Sequence, residues 1–260
     1  MELLLIGLVA LLAFGLTLFS GFGLGTILTP VFALFFPIPV AVAATAVVHL
    51  ANNLFKFTLM ARQADWKVVL RFSVPAALAA IGGASLLTWF DRLPILGTYA
   101  FAGVELELMA VKMVIGLLIV VFALFELSPR FQALALPPRW LPAGGLLSGF
   151  FGGLSGNQGA LRSAFLLRAG LSKEAFVATG VVSAVVVDIA RLGVYGGAFF
   201  IEHFRQSGET AAPVIVASLC AFVGAFVGKK ILGKVTMRTV QVAVAAMMLL
   251  IGTALMFGLV

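Results

Sequence analysis

Apolar side chains fill stretches near 3–36, 39–61, 72–90, 108–125, 141–170, 175–200, 211–228 and 239–258, with short polar clusters between them. At about 1.5 Å per residue, each is long enough for a helix to cross ~30 Å of hydrocarbon. Backbone groups need partners inside lipid, which favours closed helices over open sheet, and the alternation typical of barrel strands is absent. The pattern predicts an all-α polytopic membrane protein. Composition agrees: 62% of the 260 residues are hydrophobic and 10% charged, too much apolar surface for one soluble core. The net charge of +7 therefore matters by its placement among loops, and nucleic acid is not an expected partner. The opening MELLLIGLVALLAF carries Glu2 in place of basic residues and has no small-x-small cleavage site, so the first segment is expected to be retained. Cys220, the one cysteine, excludes an internal disulfide and a multi-cysteine metal site, and reads as a small core residue.

One stretch interrupts the first apolar run. SGFGLGTILTP, residues 20–30, places three glycines, two threonines and a proline where a continuous helix would be cheapest. A second such stretch, GGLSGNQGALRS, covers 152–163. Sliding the chain against itself by 134 residues sets Gly25, Ala41, Ala44, Thr45, Val47 and Val48 on Gly159, Ala175, Ala178, Thr179, Val181 and Val182. One more residue of offset aligns Asn53 and Lys56 with Asp188 and Arg191. The chain reads as duplicated: a repeat over 1–130, a proline-bearing linker over 131–140 and a second repeat over 141–260.

Loop charges choose between parallel and inverted repeats. If each glycine-rich segment is a hairpin followed by three spans, one side holds Arg62, Lys67, Arg71, Arg130, Arg139, Arg168, Lys173, Lys229, Lys230, Lys234 and Arg238 against Asp65, Glu126 and Glu174. The other holds Arg92 and Arg205 against Glu2, Asp91, Glu105, Glu107, Glu202 and Glu209. Eight simple spans would split the basic clusters at 62–71 and 229–238 between two faces. The inverted arrangement is expected, with the basic side cytoplasmic and both termini outside.

Glycine supplies backbone freedom where a helix stops and leaves the amides open to a ligand. Irregular backbone at membrane depth belongs against protein or a watery cavity, so the two turns are expected to line a site near the midplane. Freed N–H groups and the positive ends of the second arms, 24–36 and 157–170, favour an anion. Thr26, Thr29, Ser155, Asn157, Gln158 and Ser163 add hydroxyls and amides. The plain alternative is that the glycines only allow close helix packing.

Ionisable residues inside spans are few and expensive. His49, Asn52, Asn53 and Lys56 follow i, i+3, i+4, i+7 spacing and share a helix face. Asp188 and Arg191 stand three apart on the matching helix. Arg162 lies in the second hairpin, where a guanidinium can grip an oxyanion with two parallel hydrogen bonds. Each has a structural alternative: Asp188 neutralising Arg191, Lys56 and Lys112 snorkelling, His49 as a hydrogen-bonded core residue. The candidate substrate ligands are Asn52, Asn53, Lys56, Ser155, Asn157, Gln158, Arg162 and Arg191, with His49 and Asp188 for proton coupling and no metal or cofactor. Walker, His-Glu-x-x-His and Gly-x-Ser-x-Gly motifs are all missing, so ATP-driven pumping and hydrolysis have little support and no enzyme is expected.

The glycine-rich break opening each half, the proline in GFGLGTILTP and the matched AVAATAVV and AFVATGVV segments resemble the sulfite exporter TauE/SafE family of bacterial permeases. The first break departs from the commoner run of consecutive glycines, and the second has GNQGALRS in place of an apolar continuation ending in proline. The resemblance implies movement of a small sulfur-containing anion, such as sulfite or sulfoacetate, across the bacterial cytoplasmic membrane, usually outward. An alternating-access carrier is expected. An anion channel, or a membrane enzyme acting on a phosphorylated lipid, is the alternative, and the latter needs clustered carboxylates or a Ser/His pair that the sequence does not supply.

Overall fold

The computed structural model describes residues 3–4, 6–8, 10–11, 24–101, 103–196, 211–231 and 237–260. The expected first glycine turn around 20–23, the loop carrying Glu202, Arg205 and Glu209, and Lys234 lie outside the described residues, as do the side chains of Thr26, Lys229 and Lys230.

The chain is mostly helical. The described residues among 3–11 are helical, and after them come α1 (Leu24–Ala33), α2 (Ile38–Met60), α3 (Trp66–Asp91), α4 (Ala110–Leu127), α5 (Leu141–Ser155), α6 (Gly159–Leu166), α7 (Lys173–Tyr195), α8 (Ala211–Ile231) and α9 (Met237–Met256). Among the described residues, four segments are long and apolar enough to cross a membrane: Ile38–Gln63, Trp66–Asp91, Ala110–Leu127 and Lys173–Tyr195. Local chemistry sets their starts. Pro39 occupies the first turn of α2, where a missing N–H costs nothing. The Asp65 carboxylate caps α3 by accepting from the amides of Lys67 and Val68 at 2.9 and 3.1 Å. Ser172 Oγ caps α7 by accepting from Ala175 N at 3.2 Å, with Glu174 favourably placed in the first turn.

One element departs from the all-helical expectation. Gly97–Phe101 (β1) and Val104–Leu108 (β2) pair as an antiparallel hairpin, Tyr99 opposite Leu106. VELEL does alternate, over too few residues to register as a barrel strand. Tyr99 donates its hydroxyl proton to Phe257 O at 2.6 Å and so seats the hairpin on the end of α9.

Glycine decides the tightest packing. α3 and α5 run parallel with Phe72, Ala76 and Ala80 facing Gly145, Gly149 and Gly153, and a Cβ added at those glycines would meet backbone carbonyl oxygens at 2.2, 2.0 and 2.1 Å. The N-terminal helix meets α8 in the same manner: a Cβ at Gly224 would lie 2.1 Å from Leu11 O, and one at Gly7 would touch Val216 and Cys220. Cys220 is thus a packing residue, as expected.

α4 and α9 lie side by side in opposite directions. Arg238 at the start of α9 donates to Leu127 O at the end of α4 (3.3 Å), while Gly258 beyond α9 lies against Glu107, just before α4. Between these ends Gly116 faces Gly252. α2 and α7 are also antiparallel: Asn53 bonds Asp188, and the amide of Asp65, past the end of α2, donates to Thr179 Oγ1 near the start of α7 at 3.0 Å.

One end of the bundle gathers Val68, Leu141, Phe165 and Leu171, the Leu136 N to Ala164 O hydrogen bond, and the exposed side chains of Arg62, Lys67, Arg71, Arg130, Arg139, Arg168, Lys173 and Arg238. Glu126, counted from sequence among the loop acids of that end, is instead buried in the last turn of α4. The other end exposes Asp91, Arg92, Glu105 and Glu107.

Candidate functional site

The second glycine-rich stretch breaks a helix. α5 ends at Ser155, Gly156 turns the chain at φ 84°, and α6 begins at Gly159. Left-handed φ alone favours glycine there, and space does too: a Cβ would lie 3.3 Å from Arg191 Nη1 and 3.4 Å from Thr29 Oγ1. The turn therefore rests against α1, the second arm of the first glycine-rich region, with Thr29 fully buried.

A broken helix exposes carbonyls at its end that need donors. Here α7 supplies them. Arg191 Nη1 donates to Gly152 O at 3.2 Å, and the Tyr195 hydroxyl donates to Gly153 O. On the far side of the break, Ser148 Oγ donates to Gln158 O at 3.0 Å. Gly152 and Gly156 thus face the site, while Gly145, Gly149 and Gly153 present their α-carbons to α3. Contact with the α3 backbone and contact with the cluster around Arg191 thus fall on different faces of one helix.

Asp188 is the hub. Its Oδ2 accepts from Asn53 Nδ2 at 3.0 Å. Its Oδ1 accepts from Gln158 Nε2 at 3.1 Å and from Arg191 Nε and Nη2 at 3.0 and 2.7 Å. Asp188 and Arg191 are both 0% exposed and form a salt bridge. A charge this deep survives only when paired and hydrogen-bonded, so the neutralising role considered for Asp188 is the one its geometry performs. Arg191 is correspondingly engaged by Asp188 and Gly152, although the sequence placed it among the substrate ligands.

Arg162 is placed differently. It is half-buried on α6, donates Nη1 to Gln158 Oε1 at 3.2 Å, and has no carboxylate in salt-bridge contact among the described residues. Lys56, half-buried on α2, lies within electrostatic reach of Arg162, and Arg162 within reach of Asp188. Arg162 beside the Asp188–Arg191 pair, and Lys56 beside Arg162, are two positive charges with no carboxylate in salt-bridge contact among the described residues, an expensive arrangement at membrane depth. Ser155 donates Oγ to Phe151 O at 3.0 Å and accepts from Asn157 Nδ2 at 3.3 Å. Thr45, His49, Asn52 and Lys56 form a polar stripe along α2, the first three buried.

Sequence reasoning missed Tyr195. Its signal was there: it stands four residues after Arg191 and seven after Asp188, on the same face of α7. Also missed were Ser148 and the pair Ser73 and Ser183, whose hydroxyls meet at 2.9 Å between α3 and α7. A lone serine in an apolar run carries no pattern from which to infer its partner.

Membrane-length helices surrounding a broken one, with buried cations at the break, place the chain among helical membrane transporters. It belongs to the sulfite exporter TauE/SafE family, whose model matches residues 3–255, and this is a family of membrane transporters of sulfur anions. No curated protein and no solved structure matches the chain.

Proposed function

We propose that the protein is a secondary transporter that exports a small sulfur-containing anion, sulfite or sulfoacetate, by alternating access. The observation that carries this reading is the cationic surplus at the helix break: Arg162 and Lys56 lie near Asp188, the one carboxylate found there among the described residues, and it is already taken by Arg191. An oxyanion entering between them gains two charges and the amides of Asn52, Asn53, Asn157 and Gln158. Arg191 and Ser155 then position the turn more than they touch the solute. His49, on the same stripe, is the proposed proton-coupling group, since Asp188 is committed to its ion pair.

The same reading takes residues 1–130 and 141–260 as inverted repeats joined by 131–140. Its support is that α2 and α7, which share matched sequence, and α4 and α9, which hold corresponding places in the two halves, touch in antiparallel fashion, as a two-fold axis across the helices requires. Asn53 and Asp188, 135 residues apart and in contact, are where such an axis would pass between matched positions. The basic end is then cytoplasmic and both termini lie outside the bacterial inner membrane.

Proteoliposomes loaded separately with sulfite, sulfoacetate, taurine and acetate test the proposal. Efflux of the sulfur anions, with counterflow exchange that a channel does not give, is expected, and Arg162→Ala should abolish it. Undiminished flux through that variant overturns the site.

A further inference from the structure

Among the described residues, two buried side-chain amide oxygens, one of Asn157 in the break and one of Asn52 on α2, have no donor. Asn157 and Asn52 are 3% and 2% exposed, and the Oδ1 atom of each lacks a hydrogen-bond partner among the described residues. For Asn157 the assignment of oxygen and nitrogen is fixed by its surroundings. Ser155 Oγ gives its own proton to Phe151 O, so it can only accept from Asn157, which must turn nitrogen toward the serine and oxygen away. Leaving a buried acceptor unsatisfied costs more than a hydrogen bond gains.

Both residues lie on segments that meet at Asp188. Asn53 and Gln158 both donate to Asp188, and Asn52 and Asn157 are their respective chain neighbours, each one Cα step of about 3.8 Å away. The region thus offers positive charge from Arg162 and Lys56 and, beside it, acceptors awaiting a proton donor.

Resting on the transport reading above, we infer that the solute carries a hydrogen-bond donor as well as its negative charge. A hydroxyalkylsulfonate, or hydrogensulfite in place of sulfite, meets both demands. A solute made only of acceptors, such as sulfate, an alkylsulfonate or sulfoacetate, satisfies the cations and strands the two asparagine oxygens, so of the two anions proposed above the inference selects sulfite, carried as hydrogensulfite.

The test compares 2-hydroxyethanesulfonate with propane-1-sulfonate, which swaps the hydroxyl for a methyl at equal charge and nearly equal size. Calorimetric titration of the intact purified protein should show the hydroxylated ligand binding about tenfold more tightly. Asn157→Leu and, separately, Asn52→Leu should each shrink that ratio without removing sulfonate binding, whereas Arg162→Ala should weaken both ligands alike. Equal affinity for the two ligands in the wild-type protein, or a ratio unchanged in both leucine variants, overturns the inference and leaves the transporter reading intact. Binding of neither ligand overturns the site itself.

Discussion

Replacing Gly149 with alanine adds one methyl group where the α3 backbone already stands. The new carbon would lie 2.0 Å from Ala76 O and 2.6 Å from both Ala76 C and Ala76 Cα. Ordinary contact needs about 3.4 Å or more, and the obstacle is backbone, so no rotamer change relieves it. The helices must part along a seam that also includes Gly145 and Gly153. Overpacking of this kind costs about 1–3 kcal/mol, or roughly a 5- to 150-fold loss in the folded-to-unfolded ratio. Gly82 on α3 is the control: it is exposed, with nothing within 4 Å of an added Cβ, so the same substitution there should gain up to about 1 kcal/mol of helix propensity. Thermal unfolding of both variants in one detergent measures the contrast. Because α5 ends at the break, Gly149→Ala should also slow transport. A Gly149→Ala protein as stable as Gly82→Ala would refute the close approach of α3 and α5.

Two further outcomes are expected. Asp188→Asn leaves the fully buried Arg191 without its counter-charge and should cost about 3–5 kcal/mol in the same unfolding assay, most of it recovered when Arg191→Met is added; a single variant as stable as the wild type would show that the ion pair holds nothing. Single cysteines at Lys67 and Arg238, in a Cys220→Ser background, should react with an impermeant maleimide from one face of the membrane and a cysteine at Glu105 from the other. Reaction of the first two from different faces would sink the inverted arrangement.

Much of this architecture was legible because membrane helices are constrained from outside. Lipid forces length and apolarity on each span, so the break at Gly156 and the matched segments around Thr45 and Thr179 stood out against an even background. The offset that aligned Asn53 with Asp188 turned out to join two residues in hydrogen-bond contact. What composition could not assign was direction around each helix. Gly149 and Gly152 look alike in the sequence, yet one faces the α3 backbone and the other the site. Arg162 and Arg191 were equal candidates, and only the geometry of Asp188 separates the engaged guanidinium from the available one. The β-hairpin was missed because five alternating residues beside a turn are a weak signal next to eight long apolar runs.

The contact between Asn53 and Asp188 carries a consequence for how such a protein can come to exist. Were the two halves identical, whatever occupied that position would face its own copy. A pair of aspartates there would repel, and a pair of asparagines would offer no anion to hold the arginine that props up the broken helix. In the inverted repeat proposed above, two identical halves would have the symmetry but not this clasp, which requires that the halves differ at this one matched position.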